Sequence, residues 1–353
     1  MSGSPSTLDD HGGWPGVLGN LADGRDLSLG TAQAALENIL AGDATNAQIA
    51  AFVVALRQKG ETVDEMTGMV RAMIAAAERL MLPDGTIDIV GAGGSPPRQI
   101  AALNVSTMAA FVAAGAGAIV CKHGNRKASS TSGSFDLLEA LGVAIDLDGP
   151  AVEACVREAG IGFAFARTFH PAMRFAGPVR VELGIPTVFN VLGPLSHPGR
   201  VTRQVIGVAD HELGERMIHV LRANGSIRAL VVSGDGGLDE LSTTGPALTH
   251  ELRDGQILTT SVDPAGLGVP SASADQLRGG DPAANAAIAR GVFAGDTGPV
   301  RDIVTLNAAA GLLVAGAVES LADGIGAAGA AIDDGRVAAV LERLVEVSNR
   351  VAD

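Results

Sequence analysis

The sequence predicts an α/β protein: a small all-helical domain followed by a larger α/β domain with a mainly parallel central sheet flanked by helices. Three observations carry this. From Trp14 to about Leu82 the apolar residues recur at helical spacing, with no strand-like alternation. After Pro83-Asp84-Gly85, a turn signal, short β-rich runs begin to alternate with helical stretches. Glycine makes up 47 of 353 residues, which calls for many tight turns or close backbone approaches.

Residues 1–13, rich in Ser, Gly, Pro, Asp and His, read as a disordered leader. Ala32, Leu36, Ile39 and Leu40 then share one helical face, and Ile49, Phe52, Val53 and Leu56 another. Gly60 stops the second of these helices, and Thr62-Val63-Asp64-Glu65 offers a capping box for the next. This helical domain is expected over 14–85, with a returning segment at about 178–200. The α/β domain takes 86–177 and 201–353. Within it, Ile87–Val90 reads as a strand, Val105–Ala114 as a helix and Ala118–Cys121 as a strand. Phe135–Leu141 and Ala151–Ala159 read as helices, and Ile161–Ala166 as a strand. Thr187–Asn190, Gln204–Val208 and Ala229–Ser233 are β-rich, with a helix near Glu212–Ala223. A Gly/Pro-rich stretch at 264–282 precedes helices at about 283–294, 299–322 and 335–350.

Charge narrows the function. With 25 basic and 39 acidic residues the chain carries −14, which argues against general affinity for nucleic acid or an anionic membrane. No secretion signal is visible. The uncharged run Val105–Cys121 is short for a span and reads better as a buried helix that breaks at Gly115 or Gly117 and feeds a strand. Cys121 and Cys155 sit in apolar surroundings, far from metal-ligand spacing, as reduced core residues of a cytoplasmic protein.

The chemistry concentrates in Lys122–Ser134. Thirteen residues hold three basic side chains (Lys122, Arg126, Lys127), Gly124 and Gly133, and the hydroxyls of Ser129, Ser130, Thr131, Ser132 and Ser134. Such a loop suits an anion: charge, donors and close backbone approach together. Alone it reads first as a solvated surface loop. Gly91-Ala92-Gly93-Gly94-Ser95 lies between a strand and a helix, where its amides would face a phosphate, or make only a tight turn. Asn104, Ser106 and Thr107 open the next helix, as caps or as ligands to a metal or phosphate. Asp239-Glu240, at a strand end, suits Mg²⁺ or is an exposed acidic turn. His170-Pro171 and Arg180 complete the set. Arg180 has Glu182 as its one near acidic neighbour, or meets an anionic ligand.

In order and wording these pieces resemble the anthranilate phosphoribosyltransferases. That family carries Gly-Thr-Gly-Gly-Asp, Asn-x-Ser-Thr, Lys-His-Gly-Asn-Arg with Ser-Ser and Ser-Gly, His-Pro-Ala-Met, Val-Arg, Phe-Asn-x-Leu-Gly-Pro-Leu and Gly-Leu-Asp-Glu. The corresponding segments here are Gly91–Ser95, Asn104–Thr107, Lys122–Ser134, His170–Met173, Val179-Arg180, Phe189–Leu195 and Gly237–Glu240. The resemblance implies transfer of phosphoribosyl from 5-phosphoribosyl 1-diphosphate (PRPP) to anthranilate, a step toward tryptophan, in a homodimer joined through the helical domain. It implies that Gly91, Gly94, Ser95, Asn104, Ser106, Thr107, Lys122, His123, Gly124, Asn125, Arg126, Ser129, Ser130 and Ser134 hold PRPP. Gly91, His123, Asn125, His170 and Arg180 would hold anthranilate, and Ser106, Asp239 and Glu240 would serve Mg²⁺. Lys122, Asn125 and Arg180 would matter most for the reaction.

The first loop departs from the pattern. Ala92 replaces Thr and Ser95 replaces Asp. The connection through Pro96, Pro97 and Arg98 is about three residues longer, and Ala102 stands where the family has Thr. The expectation is altered Mg²⁺ dependence or PRPP affinity, with activity kept. Three rivals remain: transfer to another aromatic amine, a pyrimidine nucleoside phosphorylase, for which Asp239-Glu240 would have no role, and a non-catalytic nucleic-acid-binding relative, which the −14 charge opposes.

Overall fold

The computed structural model describes residues 7–93, 103–126 and 132–352. Four helices come first: α1 (Gly13–Ala22), α2 (Leu29–Ala41), α3 (Asn46–Lys59) and α4 (Val63–Ala75). The expected capping box forms, with Glu65 N–H donating to Thr62 Oγ1 (3.2 Å) and Thr62 N–H to Glu65 Oε2 (2.8 Å). Glu65 is fully buried, and it also accepts from Leu27 N–H and binds the Lys59 ammonium, so one side chain ties three segments together. From Thr7 to Gly13 the leader is more ordered than its composition suggests. Leu8 packs into the helical core and Asp9–His11 forms a 3₁₀ turn, because an apolar anchor outweighs a polar neighbourhood.

The remainder runs β1 (Ile87–Gly91), α5 (Val105–Gly115), β2 (Val120–Gly124), α6 (Ser134–Ala140), α7 (Gly149–Ala159), β3 (Ile161–Phe165), α8 (Ala166–Phe169), α9 (Gly177–Leu183), α10 (Val188–Leu195), β4 (Arg203–Gly207), α11 (His211–Ala223) and β5 (Arg228–Ser233). A hairpin, β6 (Ala247–Arg253) and β7 (Gln256–Val262), follows. Then come α12 (Pro282–Phe293), α13 (Pro299–Ala315), α14 (Leu321–Asp333) and α15 (Arg336–Ala352).

The sheet has the order β3-β2-β1-β4-β5-β6-β7, with the first five strands parallel and the β5–β6 and β6–β7 pairings antiparallel. On one face α5, α7 and α12–α15 build a core around Phe111, Phe163 and Phe293. On the other, Val90, Ile206, Ala229 and Val231 join α11 and the helices α1–α4. Val179 of α9 and Val188, Phe189, Leu192 and Leu195 of α10 belong to this second core, so the chain returns to the N-terminal helices there.

Three local expectations are corrected. Thr187–Asn190 opens a helix rather than a strand: its Thr-Val-Phe run is β-prone, yet Thr187 N–H donates to Asn190 Oδ1 (3.1 Å), which satisfies a donor left open at a helix start. The helix expected at 299–322 is two, since Gly316 takes φ 78° and ends α13 before Ser320 caps α14. The β6–β7 hairpin went unrecognised because β7 is an edge strand, largely exposed, with little apolar alternation to betray it. By contrast, Val105–Cys121 is the buried helix and strand expected, broken at Gly115–Gly117. Among the described residues no helix is long and apolar enough to cross a membrane. Both cysteines are free and buried.

Candidate active site

Strand order reverses between β1 and β4, and in such sheets the crevice beyond the strands' carboxyl ends is where a ligand is received. Both strands end there in glycine, Gly91 opposite Gly207, and Ala92 N–H donates to Gly207 O at 2.8 Å. The reason for both glycines is Asp239. A Cβ on Gly91 would press on its carboxylate, and a Cβ on Gly207 would overlap its carbonyl oxygen. Gly93 N–H donates to Asp239 Oδ2 at 3.0 Å. Burial first, then Asp239, push the neighbouring Glu240 carboxyl well above the usual carboxylate range.

Lys122 ends in the same region from β2, buried, with its ammonium 3.4 Å from His123 O. Burial draws its pKa down, while Asp88, Glu240 and Asp239 pull it back up. Asp88, which the sequence reading passed over, lies fully buried in β1 and accepts from His123 N–H (3.1 Å); burial raises its pKa to about 7. Asp239 and Glu240 offer oxygen donors suited to a hard dication. Among the described residues no third His, Cys, Asp or Glu converges with such a pair. This fits Mg²⁺, which characteristically takes one or two carboxylates and fills its shell with water and substrate phosphate oxygens.

Beside this end opens a cleft of about 470 Å³, lined on one side by Gly91, His123, Gly124 and Asn125, and on the other by His170, Met173, Arg180, Phe189 and Pro194. Arg180 makes no ion pair with Glu182. Its guanidinium lies 5.5 Å from the Phe189 ring, and burial alone draws its pKa down. A desolvated guanidinium on an aromatic wall is a seat for a carboxylate. The His123 and His170 rings stand 5.1 Å apart, and both Nε2 atoms are buried without a hydrogen-bond partner among the described residues. Burial pushes both pKa values down, His170 to about 4, so each ring is neutral and presents an acceptor. Behind them His197 Nε2 donates to Cys121 O (2.9 Å), while its Nδ1 accepts from Gly199 N–H. The second contact fixes Nε2 as the donor.

A glycosyl transferase family model described as the helical bundle domain matches residues 15–77, and one described as the a/b domain matches 84–338. An anthranilate phosphoribosyltransferase from Rhodococcus jostii is 49% identical over 345 residues, covering 96% of this chain and 94% of that protein. One from Chloroflexus aggregans is 50% identical, over 92% and 95%. The chain belongs to the anthranilate phosphoribosyltransferase family. The crystal structure of an anthranilate phosphoribosyltransferase from Thermus thermophilus superposes with a TM-score of 0.88 at 40% identity, covering 94% of this chain and 99% of that one. The Saccharomyces cerevisiae enzyme in complex with PRPP and Mg superposes at 0.86 and 27%, covering 96% and 98%.

Against this family frame, the sequence-predicted residues sort clearly. Gly91, His123, Gly124, Asn125, His170 and Arg180 meet in the cleft. Asn104 stands at the N-cap position of α5 but makes no cap bond. Its side chain is turned to Ser132 instead, and Ser106 and Thr107 follow in the first turn. Ser134 Oγ donates to Asn125 O (3.0 Å) and so fixes the loop rather than facing the cleft. Arg126 is a correction: its guanidinium is committed to Asp136 (3.1 Å) and Glu139 (2.9 Å), because α6 brings both carboxylates within reach. Gly94, Ser95, Arg98, Ala102, Ser129 and Ser130 lie outside the described residues. Sequence reasoning missed Asp88, Arg167 and Arg174, the last two on the cleft wall. A lone acid inside an apolar strand was the available signal for Asp88.

Proposed function

We propose that this protein transfers the 5-phosphoribosyl group from PRPP to the amine of anthranilate, giving N-(5-phosphoribosyl)anthranilate and diphosphate, in the biosynthesis of tryptophan. The observation that carries it is the adjacency of two unlike seats. An acidic, glycine-ended crevice lies at the sheet's switch point, and a cleft holding the unpaired Arg180 opens from it.

In this reading Gly91, Gly94, Ser95, Asn104, Ser106, Thr107, Lys122, Gly124, Asn125, Ser129, Ser130 and Ser134 hold PRPP. Asp239 and Glu240, with Ser106, would hold Mg²⁺, whose charge would stabilise the departing diphosphate. Lys122 adds a second positive charge where that negative charge develops. Arg180 forks onto the anthranilate carboxylate and fixes the ring against Phe189. The amine is neutral at physiological pH, so orientation rather than a strong base carries the rate. The neutral His123 and His170 accept from its N–H groups as the new bond forms. Asn125 lines the cleft between the two seats.

The helical domain is read as 14–85 with 178–200, and two protomers as meeting through it. Val54 on α3, Val181 on α9 and Ile185 support this as exposed apolar side chains of that unit. Light scattering of Val181→Asp would show a monomer if this face joins two copies, and an unchanged mass if it does not. The free, buried cysteines suit a cytoplasmic setting.

The deciding experiment follows loss of anthranilate fluorescence with PRPP and Mg²⁺, with the product identified by mass. PRPP-dependent turnover to the phosphoribosyl amine is expected. Turnover only with a different aromatic amine would overturn the assignment of the acceptor.

A further inference from the structure

Helices α12 and α13 belong to the layer that covers the sheet, and each carries a fully buried asparagine among apolar neighbours. Asn285 is 0% exposed beside Ala286 and Ala289. Asn307 is 3% exposed between Leu306 and Ala308. A carboxamide at such a position costs stability unless all its polar atoms are matched, and an apolar side chain would pack there more cheaply. What they bind gives them a purpose. Asn307 Oδ1 accepts from Leu241 N–H (3.0 Å) and its Nδ2 donates to Leu241 O (2.8 Å), while also reaching Ile303 O (2.9 Å) on its own helix. One side chain thus pairs with a residue's whole backbone, as a neighbouring strand would. Leu241 directly follows Asp239-Glu240.

Asn285 does the same for the other edge of the crevice. Its Nδ2 donates to Asn104 Oδ1 (2.9 Å), and its Oδ1 accepts from Gly280 N–H (2.8 Å). Asn104 Oδ1 also takes the Ser132 hydroxyl (3.0 Å), and its Nδ2 donates to Ser132 O (3.2 Å). The partners lie 181 residues apart in one case and 66 in the other, so neither link is local. Without Asn285, Asn104 and Ser132 keep their bonds to each other but lose the tie of Asn104 to α12. Without Asn307 the acidic pair hangs on a segment whose backbone groups are unmatched.

We infer that Asn285 and Asn307 are the positioning residues of the PRPP end of the site: Asn285 orients Asn104 and the Ser132 turn, and Asn307 fixes the segment bearing Asp239 and Glu240. The inference rests on the reading that this end binds PRPP with Mg²⁺. Neither side chain lines the cleft that holds Arg180, so the acceptor end is insulated from both.

Calorimetric titration of PRPP with Mg²⁺ into the full chain tests it, alongside steady-state kinetics. Asn285→Ser and Asn307→Ser should each weaken PRPP binding about tenfold, the loss of one or two buried hydrogen bonds, with KM for anthranilate within about twofold. Asn307→Ser should also shift the Mg²⁺ midpoint upward, and Asn285→Ser should not. Thr305→Val is the control, since that hydroxyl donates only to Arg301 O one turn away on α13. It should lower the melting temperature and leave PRPP binding unchanged. Unchanged PRPP binding in folded serine variants, or the same loss in Thr305→Val, overturns the inference. So does a parallel rise in both KM values. Should one serine variant fail to fold, the other, on a separate helix, decides. A wild-type chain that binds no PRPP would instead overturn the functional reading.

Discussion

The two ends of the site are built on opposite principles. The cleft proposed for the acceptor sets Arg180 against Phe189, with Met173 and Pro194 among its apolar lining and Arg167 and Arg174 also on its wall, while neutral histidines supply acceptors. The end proposed for PRPP is carboxylates, a buried lysine and backbone, crowded so closely that β1 and β4 must both finish in glycine. A cleft of side chains on packed helices tolerates local change in its walls. A crevice made of backbone contacts does not, because any added atom displaces the chain. The PRPP end therefore needs outside support from α12 and α13, whereas the cleft is held by its own packing.

The largest expected effect separates the two ends. Arg180→Ala should lower kcat/KM for anthranilate about 100- to 1,000-fold, the loss of a charge-assisted bidentate contact, with PRPP binding within a few-fold. Equal losses for both substrates would show that the ends are not independent. Next, Gly207→Ala should cost about 1–3 kcal/mol of stability and raise KM for PRPP, since its Cβ has no room beside Asp239 O. Melting curves and initial rates check both halves of that claim.

The histidines between the ends predict a pH response. His197 and His170 have folded pKa values depressed to about 4 by burial, so each contributes stability that is complete above about 6.5 and is lost as pH falls through about 4. The unfolded chain binds those protons first, at roughly 1.4 kcal/mol per pKa unit for each ring. Asp88 runs the other way: its folded pKa of about 7 lets the native state take up a proton first, so it gains stability below 7. Denaturant midpoints for wild type and His197→Gln isolate the histidine part. The variant should lose less stability between pH 6.5 and 4, and parallel curves would refute the assignment. The smallest effect is expected at the altered first loop. Ser95→Asp should move the Mg²⁺ activation midpoint a few-fold, and identical titrations would show that the loop's lost carboxylate does not matter.

Most of the fold was legible because it depends on patterns a sequence writes directly. The Thr62–Glu65 box, the break at Gly115–Gly117 and the strand–helix alternation are local. So are the reasons they were readable: capping groups, turn residues and periodicity lie within one or two turns of chain. Thr187–Asn190 and the β6–β7 hairpin failed for complementary reasons. In the first, a hydrogen bond from Thr187 N–H to Asn190 Oδ1 overrode β-prone residues. In the second, an edge strand lacked an apolar face to reveal it.

By itself, then, the sequence determined the class of fold, the order of its chemical motifs and the anion-binding character of their residues. Tertiary structure alone decided which motif residues share a wall. It turned Arg126 to Asp136 and Glu139, left Arg180 on Phe189 with no carboxylate partner among the described residues, and set Asp239 across two strand ends. Those outcomes depend on how separate elements pack in space, across 146 residues where Gly93 meets Asp239, and on burial that changes what a charge costs. Neither quantity is written in spacing along the chain.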